Sequence, residues 1–206
     1  MISTEHFDRA AATWDDNPGR RSRNLAIAAA LRQRLSLHRG MAMLEYGCGT
    51  AMLSVLLAPW VGAITAADTS EGMLEQVREK VARAGLPALQ PQRLDLLTDP
   101  IPTGRFDLVV SAMVLHHIAD TDGLLQAFRK VLRPGGFLAL ADLCAEDGSF
   151  HGADAVPHPG FDPERLGAQV RAAGFTAIQS AVVCKVAKAD RDYPVFLLTA
   201  QAAAVP

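Results

Sequence analysis

The chain has 206 residues, half of them hydrophobic and a fifth charged, with a net charge of -2. Its length is ordinary for one α/β domain, and its composition is that of a globular chain with a real core. No run reaches the ~18 uninterrupted apolar residues of a membrane span, and the charge argues against a nucleic-acid partner, which usually needs a broad basic face.

The start, Met1-Ile2-Ser3-Thr4-Glu5-His6, has no basic head followed by an apolar run, so no signal peptide is expected. Ser3 to Leu37 reads as helical, broken by the turn signal Asn17-Pro18-Gly19. Arg20, Arg21 and Arg23, with Arg32, Arg34 and Arg39 further on, read as a solvated helix face. Met41 to Leu44 fits a buried parallel strand. A helix over Ala51 to Leu57 stops before Pro59, and Ala63 to Ala67 is a second strand. Ser70 is a good N-cap for a helix running to Ala84 and closed by Gly85. Leu89 to Leu94 is a weaker third strand, and Phe106 to Val110 a clear fourth. A helix from Asp122 to Leu132 ends at Pro134-Gly135-Gly136, before a fifth strand over Phe137 to Ala141. Asp142 to Gly160 is polar and reads as a long loop, the kind that often carries function. Asp162-Pro163 opens a helix to Ala173, closed by Gly174. Two β-like runs follow, Ala177 to Val186 and Val195 to Thr199. The gap between them is too short for a parallel crossover, which needs about a dozen residues, so they should form an antiparallel hairpin at the edge of a parallel sheet. Strands alternating with helices give an α/β fold class.

The strongest local signal is Leu44-Glu45-Tyr46-Gly47-Cys48-Gly49-Thr50-Ala51, between a strand and a helix. Glycines there allow a tight turn and close approach of a ligand to the backbone. About twenty residues later the second strand ends in Asp68, where a carboxylate can hold both hydroxyls of an adenosine ribose. So far the pattern fits either a nicotinamide dinucleotide or an adenosine-based sulfonium. The dinucleotide fingerprint wants Gly or Ala three residues after the second Gly, where this chain has Met52. Glu45 makes physical sense beside a ligand that carries positive charge.

Glu45 to Ala51 resembles the first motif of class I S-adenosylmethionine-dependent methyltransferases. Ala67-Asp68-Thr69-Ser70-Glu71-Gly72-Met73-Leu74 is similar to the second, in which the Asp binds the ribose. Leu94-Asp95-Leu96 resembles the third, in which the Asp faces the adenine. Phe106 to Ser111 resembles the fourth strand, and Leu132 to Gly136 the turn before the fifth. Phe7-Asp8 and Trp14-Asp15 are similar to the N-terminal helix that covers the cofactor in the small-molecule, quinone-biosynthesis-like branch. The resemblance spans about Phe7 to Thr199 and departs at Ala51, where the family usually has Gly; one added methyl group should have a small steric effect.

The resemblance implies a Rossmann-like three-layer sandwich, with seven strands in the order 3-2-1-4-5-7-6 and strand seven antiparallel. It implies one methyltransferase domain, with a helical cover (1–38), a cofactor-binding core (39–142), an acceptor-side loop (143–160) and a C-terminal helix and hairpin (161–206). S-adenosyl-L-methionine is the cofactor it implies, held by Glu45, Gly47, Gly49, Asp68, Thr69, Met73, Asp95, Leu96 and Ser111.

Methyl transfer from a sulfonium is a direct displacement that needs alignment and exclusion of water. A base is useful only if the acceptor starts protonated. His116, His117, His151 and His158 are the candidates for such a role. His151, Asp154 and His158 match no strong zinc spacing, so no metal is expected. Cys48, Cys144 and Cys184 lie far apart, which fits a reducing cytosol. No Asn/Asp-Pro-Pro-aromatic segment follows the fourth strand, which favours a small-molecule acceptor over a flipped base. The expectation is a cytoplasmic methyltransferase, monomer or homodimer. The alternatives are a non-catalytic S-adenosylmethionine-binding protein and a nicotinamide-dependent oxidoreductase.

Overall fold

A computed structural model describes residues 3–152 and 154–203; Met1 and Ile2, which entered the signal-peptide reading, and the last three residues of the C-terminal segment lie outside them. Seven strands form one sheet in the order β3-β2-β1-β4-β5-β7-β6. They are β1 (Ala42–Tyr46), β2 (Ala63–Asp68), β3 (Leu89–Arg93), β4 (Phe106–Ala112), β5 (Leu132–Leu143), β6 (Phe175–Lys188) and β7 (Arg191–Ala202). β1 to β5 pair in parallel, and β7 runs antiparallel between β5 and β6. The expected order and the terminal hairpin are both present. Pro91 lies in β3, at the edge of the sheet, where a missing N–H costs no ladder bond.

Helices cover both faces. α1 (Thr4–Ala10) and a 3₁₀ segment (Ala11–Asp16) lead into α2 (Pro18–Arg34), followed by α3 (Met52–Leu57), α4 (Glu71–Ala84), α5 (Thr121–Val131) and α6 (Pro163–Ala172). Ile27 and Leu31 of α2, Leu53 and Leu57 of α3 and Leu74 and Val77 of α4 join one apolar cluster against the sheet. Leu124 and Phe128 of α5 and Leu166 and Val170 of α6 fill the other. These are the two outer layers of an α/β/α sandwich.

The helix signals operate as local chemistry predicts. Asn17 Oδ1 accepts from Gly19 N, with Pro18 in the first turn of α2. Ser70 Oγ accepts from Met73 N, and Gly85 closes α4 in the left-handed region. Asp162 Oδ1 accepts from Glu164 N and Arg165 N ahead of α6.

Three boundaries differ from the expectation. β5 begins at Leu132 rather than Phe137. Leu132 pairs with Phe106, the register then slips, and Leu108 pairs with Phe137. The Pro134-Gly135-Gly136 turn is therefore a bulge within the strand rather than a break before it. The hairpin is longer than its apolar runs because the ladder continues through exposed polar residues to Lys188 and Arg191. Ala51, expected to have little steric effect, adopts φ 56 as the residue before α3, a conformation that Cβ disfavours.

Candidate functional site

Parallel strands end together, so the loops that leave them converge above one edge of the sheet. Here they enclose a cavity of about 570 Å³ at the carboxyl ends of β1, β2 and β4. Its floor is the turn after β1. Gly47 and Gly49 have φ of 69° and 52°. A Cβ on Gly47 would lie 2.4 Å from Val114, whereas one on Gly49 would point towards Trp14 and Met73 at 3.6 and 4.0 Å. The first glycine is thus required by packing, and the second leaves backbone open to the cavity.

Two carboxylates, half-buried Asp68 and buried Glu45, brace this turn. Asp68, at the end of β2, accepts from Gly49 N at 2.8 Å and from Ser70 N at 2.9 Å. Burial raises its pKa against the pull of these backbone N–H groups. Glu45 is 3% exposed and accepts from both the backbone N–H and the hydroxyl of Ser54. Burial, only partly offset by Ser54, pushes its pKa up to about 7. Asp95 accepts from Leu97 N at 3.0 Å and lies 3.5 Å from the Tyr46 hydroxyl.

The N-terminal segment is pinned over the cavity by two more acids. Asp8 accepts from Ser70 Oγ at 2.6 Å and from Gly72 N at 2.9 Å. Gly72 is needed there, because a Cβ would sit 2.9 Å from the Asp8 backbone. Asp15 accepts from Thr50 Oγ1 at 2.6 Å and from Lys80 Nζ at 2.7 Å. This brings Phe7 and Trp14 into the cavity wall, where Phe7 packs edge-on against Trp14 and His117.

His117 lines the cavity beyond Val114, with His116 and His151 packed beside it. His116 is buried, with Nδ1 2.6 Å from Asp142 Oδ1, and Asp142 ends fully buried on β5. His117 faces the cavity, and burial, reinforced by His116 and His151, holds its pKa down to about 3. Its uncharged ring can orient an acceptor by a hydrogen bond but is a poor proton sink. His151 comes from the loop after β5 and lies with its ring 4.8 Å from that of His116; burial lowers its pKa as well.

Not every candidate from the sequence lines the cavity. Glu45, Gly47, Gly49, Asp68, Thr69, Met73, Asp95 and His117 do. Ser111 is turned into the sheet, its hydroxyl donating to Tyr46 O, and the wall is formed instead by Ala112, Met113 and Val114. Leu96 packs into the core while Leu97 faces the cavity. His158 ties the long loop down, with Nε2 3.0 Å from Ile118 O and its N–H donating to His116 O. Asp154 is exposed, so the sequence-adjacent trio of His151, Asp154 and His158 is not assembled.

Arg23 corrects the reading of a solvated arginine face: it lines the cavity with its Nε buried and unpartnered, next to Asn24. Arg20 stacks 3.7 Å over Trp14 and donates to its carbonyl, and Arg34 donates to Leu197 O. The signal for Asn24 was its spacing. It stands three, four and seven residues before Ile27, Ala28 and Leu31, on the buried stripe of α2.

Residues 44–140 match a family described as a methyltransferase domain. Over 143 residues the chain is 31% identical to an uncharacterized methyltransferase of Schizosaccharomyces pombe, covering 62% of this chain and 50% of that protein. Over 111 residues it is 33% identical to a demethylmenaquinone methyltransferase of Listeria monocytogenes, covering 52% and 47%. The chain thus spans about half the length of the curated relatives it matches. A SAM-dependent methyltransferase structure from Aquifex aeolicus superposes with a TM-score of 0.70 at 20% identity, over 98% of this chain and 99% of that one. A phosphoethanolamine N-methyltransferase from Haemonchus contortus, solved with S-adenosylhomocysteine, superposes with a TM-score of 0.74 at 19% identity, over 88% and 53%.

Proposed function

We propose that this chain is a class I S-adenosylmethionine-dependent methyltransferase, as its match to a methyltransferase domain and its strand order support, and that it methylates a small molecule by direct displacement inside the cavity beneath α1 and α2. The observation that carries this reading is the pairing of an open glycine turn with Asp68 and Asp95 at the ends of neighbouring strands. The donor set suits the cofactor. Glu45, buried, and Asp68, half-buried, are acids whose pKa values are raised by desolvation, so the wall favours a ligand that brings positive charge. Gly49 leaves the space a flat backbone contact needs. When bound, the cofactor supplies a methyl group already activated on a sulfonium.

In this reading Asp68 holds the ribose hydroxyls, Asp95 faces the adenine, and Gly47 and Gly49 underlie the methionine portion. Thr69 and Met73 form the adjoining wall. Glu45 acts through Ser54 and the turn rather than by contact. Phe7, Trp14 and His117 exclude water from the acceptor end and orient the nucleophile. Three features support a small acceptor: the covered cavity, the net charge of -2, and the demethylmenaquinone methyltransferase among the relatives. Among the described residues no helix is long and apolar enough to cross a membrane. The three free cysteines are in keeping with a cytoplasmic protein.

Calorimetric titration with S-adenosylmethionine and S-adenosylhomocysteine tests the reading. Saturable binding to the parent, lost in Asp68→Ala, is the expected result. A folded parent that binds neither ligand but binds NADH or NADPH would overturn it.

A further inference from the structure

Beside the cavity, which His117 lines, the fold brings His151 next to the neighbouring pair His116 and His117. His116 and His117 lie in the 3₁₀ turn after β4, and His151 lies in the loop after β5. One ring nitrogen from each lies within 4.8 Å of those of the other two. The geometry points to a divalent transition-metal site, of the kind that takes Zn²⁺, formed by His116, His117 and His151 with Asp142 behind it.

Three features separate this cluster from packed aromatic rings. The first is orientation. Asp142 Oδ1 lies 2.6 Å from Nδ1 of His116, which leaves Nε2 as its free donor atom. A carboxylate behind a histidine is the usual outer support of a metal ligand, fixing its tautomer and raising its basicity. Asp142 is itself held, since its carboxylate also accepts from the backbone N–H groups of His116 and Leu143. The second is an unmet need. Nδ1 of His151 is buried with no hydrogen-bond partner among the described residues, and a buried polar atom in a native fold normally has one. The third is charge. Glu146, whose charge acts on His151, carries a buried Oε1 that is likewise unpartnered. Asp142 and Glu146 thus favour a cation at His151, against His116, which would itself be a ligand, and Lys188.

The donor chemistry fits zinc. Imidazole nitrogens suit Zn²⁺, and three protein ligands with an open fourth position are the arrangement of sites that bind a further oxygen or nitrogen ligand. Zn–N bonds of about 2.0–2.1 Å would set the donors roughly 3.4 Å apart, so the cluster must contract. His151, on a loop, is the member free to move. His117 lines the cavity, so the open position would face the acceptor. The inference goes beyond methyl transfer and does not depend on it.

The test is a zinc titration of the full chain, stripped by a chelator and free of cofactor, against a chromophoric competing chelator. One Zn²⁺ per chain is expected. His151→Ala should weaken binding at least 10-fold, and Asp142→Asn by about 10–100-fold. Because Asp142 is buried, its variant is read only alongside a melting curve; His151→Ala, on the loop, carries the decision. Cobalt(II) should give visible absorption from a nitrogen-rich site, lost in His151→Ala. No zinc binding at micromolar concentration would overturn the inference. So would binding undiminished in His151→Ala, since the metal would then be on other histidines. S-adenosylmethionine affinity of the metal-free chain is measured separately; its absence would remove the proposed function and leave the metal site standing.

Discussion

The two ends of the cavity are held in different ways. At the end proposed for the cofactor, carboxylates grip backbone N–H groups: Asp68 on Gly49 and Ser70, Glu45 on Ser54, Asp95 on Leu97. At the acceptor end, side chains from β4's exit, β5 and the long loop meet one another. His116 meets Asp142, His151 comes to rest beside both histidines, and His158 holds the loop to Ile118. The first end is braced mainly through backbone groups of its turns, with Asp8 and Asp15 pinning the N-terminal segment over them. The second exists only because distant segments are folded together. Perturbations at the two ends should therefore separate, the first reading out in cofactor affinity and the second in loop stability or acceptor chemistry.

The largest effect is expected from Asp68→Ala. Hydrogen bonds to a charged group are worth about 1.5–3 kcal/mol each, so losing two ribose contacts should cost more than ~100-fold in S-adenosylmethionine affinity. Asp68→Asn, which keeps an acceptor for Gly49 N, should fall between the parent and Ala. Equal affinity in all three would mean that Asp68 only braces the turn. The contrast between the two ends would then be one of architecture alone.

Glu45 gives the next effect, and it depends on pH. Its folded pKa of about 7 lies above the ordinary 4.5 because burial disfavours the charge. The stability it contributes is therefore fully present below about 4.5 and is lost as pH rises through 7. The difference amounts to about 3 kcal/mol across that window. Chemical denaturation at pH 5 and pH 8 should show this slope in the parent and a flatter one in Glu45→Gln. A positively charged ligand should reverse the preference, so S-adenosylmethionine binding should release a proton near neutrality. Calorimetry in buffers of different ionisation enthalpy would detect that release.

Gly160→Ala probes the other end. Gly160 has φ 75, and a Cβ would lie 2.3 Å from the carbonyl oxygen of Cys144. Both the left-handed backbone and the contact oppose a side chain, at a cost of about 2 kcal/mol. The melting temperature should fall by roughly 4–8 °C while S-adenosylmethionine affinity stays within about twofold. A matching loss of cofactor affinity would show that the loop and the glycine turn are mechanically one unit.

The same contrast explains what was legible in the sequence. The strands themselves, the terminal hairpin and the acids at strand ends follow from short, contiguous patterns of apolar runs, glycines and capping residues, whereas the strand order was implied by the family resemblance. Arg23 looked like one member of a basic helix face, because burial of its Nε depends on β6 packing against α2, far along the chain. Ser111 was placed beside the cofactor through its backbone, as the last residue of the segment resembling the fourth strand. Its side chain points into the sheet, donating to Tyr46 O. The histidine cluster was invisible for the same reason as Arg23. His151 was grouped with its neighbours Asp154 and His158, whereas its partners lie more than thirty positions earlier in the chain.

Ala51→Gly should give the smallest effect, and it sharpens the account of the cofactor end. Ala51 holds φ 56 at the start of α3, fully buried. Left-handed backbone costs a residue with a Cβ about 1–2 kcal/mol, which glycine would relieve. Glycine would also forfeit a buried methyl group, worth about 0.8 kcal/mol, and add unfolded-chain entropy of roughly 0.4–1 kcal/mol. The terms nearly cancel, so stability should change by less than about 1 kcal/mol, or ~2–4 °C in melting temperature. This balance is why alanine is tolerated where a glycine would be expected. Gly47 has no such freedom, since Val114 occupies the place of its Cβ. A gain well above 1 kcal/mol in Ala51→Gly would instead mean that the turn is held in strain, and cofactor affinity measured on the same variant would show whether that strain shapes the cavity floor.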